Sequence, residues 1–92
     1  MFGRAPAARR PSTAHAVSCG LGEGTIAAGL RALQDRYPDL EIGSYPYFRR
    51  SDFGTTLVLR GTEQARLEAA TEELKALIRE LGGDPKDGAS EG

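Results

Sequence analysis

The chain has 92 residues, of which 39% are hydrophobic and 27% charged, the balance of one small globular domain. A net charge of −1 argues against a dedicated nucleic-acid binder, which carries a marked basic excess. One cysteine, Cys19, excludes an internal disulfide, and with a single histidine, His15, it leaves too few soft ligands for a structural zinc site. No apolar run approaches the roughly 20 residues that cross a bilayer as a helix. The start has arginines but lacks the apolar core of a secretory signal. A lone thiol suits a reducing compartment, so the expected location is cytoplasmic.

Residues 1–13, with Pro6, Pro11 and the arginines Arg4, Arg9 and Arg10, read as a disordered arm, because little in them offsets the entropy of ordering. Residues 14–21 read as a strand: Val17, Cys19 and Leu21 alternate with smaller side chains. Gly20, Gly22 and Gly24 then bracket a turn. A helix is expected over residues 23–37, with Ile26, Leu30, Leu33 and Tyr37 on one stripe, and Pro38 ends it by disfavouring helical geometry in the residue before it. Residues 40–49 read as a second strand. Pro46 has no N–H for a ladder and so marks it as an edge. Ser51, Asp52, Phe53 and Gly54 form a hairpin loop, and residues 55–60 a third strand. Leu57 and Leu59 point one way, Thr56, Val58 and Arg60 the other. Thr62 is the expected N-cap of a last helix over residues 63–81, striped by Leu67, Ala70, Leu74, Leu77, Ile78 and Leu81, and Gly82 supplies its left-handed stop. Residues 84–92 read as a disordered tail.

These elements predict an α+β fold over residues 14–83. It is a two-layer β-α-β-β-α sandwich, with a three-stranded sheet and two helices on one of its faces. The other face leaves Val58 and the alternate hairpin residues exposed or covered by a partner.

Chemistry-bearing patterns are sparse. Gly20, Gly22 and Gly24 follow a strand and open a helix, the place of a phosphate-cradling loop. However, Thr25 stands where a dinucleotide fingerprint needs a glycine, no Walker lysine follows, and Glu23 puts a carboxylate where the helix dipole would draw a phosphate. A tight turn is the better reading and an anion loop the weaker one. Tyr45, Tyr47, Phe48 and Phe53 near Arg49 and Arg50 combine stacking surface with cations, a recipe for single-stranded nucleic acid. Aromatics that pack a hairpin, with arginines keeping its tip soluble, account for the same residues. Cys19 reads as a small buried hydrophobe, His15 as a surface residue, and the charges of the last helix as a solvated face. No catalytic constellation stands out, and neither a metal nor a cofactor is expected.

One combination is more specific. Glu23-Gly24-Thr25-Ile26-Ala27 opens the first helix and Tyr37-Pro38 closes it. Ile42-Gly43-Ser44-Tyr45-Pro46 follows, and Leu57-Val58-Leu59-Arg60-Gly61-Thr62 leads into the last helix. Over residues 18–83 this resembles the middle domain of FAD synthases, the segment that follows the MoaB/Mog-like molybdopterin-binding domain in CinA-type (competence/damage-inducible) proteins. The resemblance implies a KH-like fold and a non-catalytic accessory or interaction domain. In that family the nucleotide or pterin pocket and any hydrolase chemistry lie in the preceding domain, which this sequence lacks, so none of its pocket residues carries over. The expected partner is a protein, either a second copy of the chain or a molybdopterin-binding-like domain. The expected contact surface is Tyr45, Tyr47, Phe48, Arg49, Arg50 and Val58. The alternative is a small nucleotide- or single-strand-binding module built on the same hairpin.

Overall fold

The computed structural model describes residues 12–88. Residues 1–11 of the expected arm and the end of the expected tail at 89–92 lie outside them, and Thr13, expected as the last residue of the arm, instead begins the first strand. The chain runs β1 (Thr13–Cys19), α1 (Glu23–Arg36), β2 (Glu41–Phe48), β3 (Phe53–Gly61), α2 (Gln64–Glu80) and β4 (Lys86–Asp87). β1 pairs antiparallel with β3, setting His15 opposite Leu59, Val17 opposite Leu57 and Cys19 opposite Thr55. β2 takes the other edge of β3, with Ile42 opposite Leu59 and Ser44 opposite Leu57. Because successive side chains of a strand point to opposite faces, these registers gather Val17, Cys19, Ile42, Leu57 and Leu59 into one inner row. Ala16, Ser18, Gly43, Tyr45, Thr56, Val58 and Arg60 form the outer row.

The inner row joins the helix stripes in one core. Ile26 and Leu33 of α1, Leu67, Ala70, Leu74 and Ile78 of α2, and Tyr37 and Leu40 from the link after α1 are buried against Val17, Cys19, Leu57 and Leu59. Fully burying one such aliphatic side chain is worth ~2 kcal/mol, so this row and these two stripes hold the domain together. α1 stops where Pro38 requires it: Tyr37 has already left helical geometry, at φ −129° and ψ 67°. Gln34 Nε2 then donates to the carbonyls of Tyr37 (3.0 Å) and Leu40 (2.8 Å), pinning the link into β2. α2 begins one residue later than expected. Its N-cap is Glu63 rather than Thr62, and no side-chain hydrogen bond caps it.

The sequence predicts three strands, and among the described residues the sheet has four, in the order β2-β3-β1-β4, every pair antiparallel. The added strand falls in the stretch read as tail. Gly82, at φ 91°, closes α2 in a Schellman turn: Gly83 N–H bonds the Ile78 carbonyl (2.8 Å) and Gly82 N–H that of Arg79 (3.0 Å). The reversed chain lays Lys86 and Asp87 beside Ser18 and Val17, and Gly88 N–H bonds the Ala16 carbonyl at 2.7 Å. Two residues carry no alternation, so periodicity had nothing to detect. With β4 the order becomes β-α-β-β-α-β, the split β-α-β plan. Among the described residues no helix is long and apolar enough to cross a membrane.

Candidate functional site

β2 is an edge strand, as Pro46 requires. It joins β3 through a tight loop closed by Arg49 N–H on the Asp52 carbonyl (2.7 Å) and by an Arg49–Asp52 ion pair at 3.2 Å. The hairpin carries three of the four large apolar side chains that are exposed among the described residues: Phe48 (81%), Tyr45 (59%) and Phe53 (54%). Phe48 and Phe53 stand opposite each other at its turn end, on the inner row but beyond the core.

The expected surface residues are thereby divided between two faces. Tyr45, Tyr47 and Val58 share the outer row, whereas Phe48 points the other way, and Arg50 is exposed in the loop. Tyr45 lies back over Gly43, where a Cβ would stand 3.0 Å from its hydroxyl. Tyr47 lies across Gly54, its hydroxyl donating to the Cys19 carbonyl at 3.3 Å, and a Cβ on Gly54 would collide with that hydroxyl and that carbonyl. The Arg49 guanidinium stacks 4.8 Å from the centroid of the Tyr47 ring. Each ring therefore covers sheet surface that a glycine leaves bare, and Val58 is only partly exposed.

On the other side of the same strand, β2 and α1 line an open groove of about 520 Å³, bordered by Ala27, Leu30 and Ile42 and by Glu23, Arg31 and Asp35. Ser44 Oγ donates to Glu23 across one end at 2.8 Å. Neither this groove nor Phe53 belongs to the surface expected from sequence. The Phe48–Phe53 pairing follows from the hairpin register, but the groove depends on how α1 docks.

The Gly20, Gly22 and Gly24 loop shows no need for glycine. None of the three has a positive φ, and a Cβ would meet nothing within 4 Å at Gly20 or Gly24. Gly22 is the N-cap of α1, and the Glu23 carboxylate beside it is engaged by Ser44. Cys19 is a free, buried thiol. His15 is half-buried and has a partner the sequence did not suggest, its Nδ1 lying 3.2 Å from Thr71 Oγ1 on α2.

Three of the charges on α2, Arg66, Glu73 and Lys75, are paired at long range rather than merely solvated. Glu73 accepts from Arg36 (2.6 and 3.0 Å) and from the Tyr37 hydroxyl (2.5 Å). The Tyr37 hydrogen bond, and then that of Arg36, holds the Glu73 carboxyl below its ordinary range, while the same contact with Glu73 raises the Tyr37 hydroxyl. Arg66 binds both oxygens of Asp39 (2.6 and 2.8 Å), lowering its pKa, and lies over the Tyr37 ring at 4.8 Å. Lys75 bonds Asp87 of β4 at 2.7 Å, which raises the lysine and lowers the aspartate. In each cluster the acid faces a cation and is stabilised as the anion, the reverse of what a general acid at neutral pH needs. Among the described residues no group of three or more His, Cys, Asp and Glu side chains is placed to hold a metal.

Element order, strand order and hairpin define the class, an antiparallel α+β domain of the split β-α-β plan. Residues 11–82 match the family model of the FAD synthase middle domain, and the chain belongs to that family. No curated protein matches the chain. Among solved structures, it is similar to a C-terminal segment of the alpha subunit of aIF2 from Pyrococcus abyssi. That likeness has 18% identity and a TM-score of 0.51, over 91% of this chain and 53% of that one. It is also similar to a de novo designed protein, Foldit4, with 9% identity and a TM-score of 0.60, over 87% of this chain and 98% of that one. The chain spans about half the length of the Pyrococcus segment, and at these identities the likeness is one of fold alone.

Proposed function

We propose that this chain is a non-catalytic accessory domain that acts by contact with protein, and that the β2–β3 hairpin is its contact surface. One observation carries the reading. Exposed apolar side chains scattered singly over a surface need no explanation, but Tyr45, Phe48 and Phe53 are gathered on one edge hairpin. The family adds support, being that of the middle domain of a larger enzyme. In this reading both helices cover one face of the sheet, and the outer row faces away from them. The natural partners are a second copy or a molybdopterin-binding-like domain of the kind that precedes this segment in CinA-type proteins, in the cytoplasm. The test is to supply the purified chain with FMN, ATP and magnesium and follow FAD and pyrophosphate. No turnover is expected, and turnover that tracks the protein through purification and is lost in a point variant overturns the reading.

A second reading, a single-strand-binding module, is favoured by the Arg49–Tyr47 stack with Arg50 beside it. Titration with single-stranded RNA across a salt series decides it. Binding that weakens with rising salt supports that module, and no binding at low salt removes it.

A further inference from the structure

The free edge of β2 leaves a row of backbone groups able to pair with another strand. Three features of this edge complement one another only when the strand meets itself in the opposite direction. The first is charge. Glu41 begins β2, is 82% exposed at its side chain, and reaches Arg60 only at 4.0 Å. Arg49 and Arg50 follow directly on its other end. Antiparallel self-pairing sets acid against cation at both ends, and parallel pairing sets like against like. The second is shape. Phe48 projects from one end of the strand on the helix side, and the groove lined by Ala27, Leu30 and Ile42 runs beside the other end on the same side. The third is Tyr45, exposed on the outer row midway between Ile42 and Phe48.

We propose that two copies of this chain associate antiparallel through β2, about a two-fold axis at Tyr45. This rests on the reading of the hairpin as the contact surface and names its occupant. In this register Tyr45 faces the partner's Tyr45, Ile42 faces the partner's Phe48, and Glu41 faces the partner's Arg49. Residues 42, 44, 46 and 48 of both copies lie on the helix side, so each Phe48 enters the groove of the other copy. The two Tyr45 rings meet on the outer side, at the separation of directly opposed residues. The interface is isologous and closes on itself, producing a dimer with one continuous sheet rather than a fibre. Pro46 offers no N–H, which weakens the ladder at two symmetric places, so the dimer dissociates on dilution.

Sedimentation velocity of the full chain over a wide concentration range tests this. A reversible monomer–dimer equilibrium is expected. Glu41→Arg alone and Arg49→Glu alone each weaken self-association roughly tenfold, since each puts like charges opposite at both ends. An equimolar mixture of the two variants restores it, because in the mixed dimer both ends again carry opposite charges. Loss without rescue in the mixture overturns the register. In a second measurement, mild oxidation of Tyr45→Cys produces a covalent dimer faster than Glu80→Cys on the far end of α2, with Cys19 buried and silent. Equal rates count against the two-fold at Tyr45. Phe48→Ser keeps the far-ultraviolet circular dichroism of the native chain and lowers association. A chain that stays monomeric at the highest concentration sinks the dimer and leaves the accessory-domain reading standing. Turnover by the chain does the reverse.

Discussion

The two rows of the sheet are covered in different ways. On the inner row, Leu57, Leu59 and Val17 are buried by side chains arriving from α1 and α2. On the outer row, Thr56 and Ser18 are buried as well. There the positions are small, and two tyrosines of the same sheet lie flat over Gly43 and Gly54. The inner row depends on apolar volume brought from far along the chain, so its energy is that of close packing. The outer row depends on what glycine omits. On this face, expected to be exposed or covered by a partner, Ser18, Gly54 and Thr56 are buried, Val58 is partly exposed and Tyr45 is exposed, while Phe48 and Phe53 extend past the core at the turn end of the hairpin.

The sharpest way to break this contrast is on the inner row. Leu57→Ala, which empties a fully buried position between both neighbouring strands, should cost about 3 kcal/mol in urea unfolding. On the outer row addition, not removal, should do the damage. Gly54→Ala forces Tyr47 and the Cys19 carbonyl apart and should cost about 2 kcal/mol, and Tyr47→Ala in the same background should recover part of that. Tyr45→Ala, at a position more than half exposed, should cost under about 1 kcal/mol and increase dye binding at Val58. The smallest effect is a pH dependence. Glu73 is held below its ordinary value of 4.5, so its contribution is complete above that pH and is lost as pH falls through the lower folded value. Tyr37 is raised above 10.0, so its contribution is present below that pH and lost as pH climbs through the higher folded value. Glu73→Gln should therefore flatten the acid-side fall in urea midpoint, whereas an unchanged acid limb would assign that fall to other carboxylates.

Local pattern carried much of the fold. The α1 and α2 stripes fall where spacing put them, with Ile26, Leu33, Leu67, Ala70, Leu74 and Ile78 all buried. Leu81, expected on the same stripe, lies past the end of α2 and is exposed. The edge status of β2 followed from Pro46, and the end of α2 from Gly82. Hydrophobic period, proline and glycine act within a few residues, and one sequence therefore suffices to read them.

The rest depended on contacts between distant segments. The His15–Thr71 contact joins residues 56 apart, and the Arg36–Glu73 and Tyr37–Glu73 bonds span 37 and 36. β4 exists because the turn at Gly82 and Gly83 returns two otherwise unremarkable residues to the edge of β1. The tyrosines rest on glycines that composition presented only as breaks, and the groove opposite them is a product of how α1 lies along β2. By itself the sequence determined where both helices and three of the four strands form, to within a few residues, and which stripe of each helix is apolar, since those are properties of neighbouring residues. Which charges pair, which face is already covered and which edge remains free were decided by tertiary structure, because each depends on the distance between groups that only the folded chain brings together.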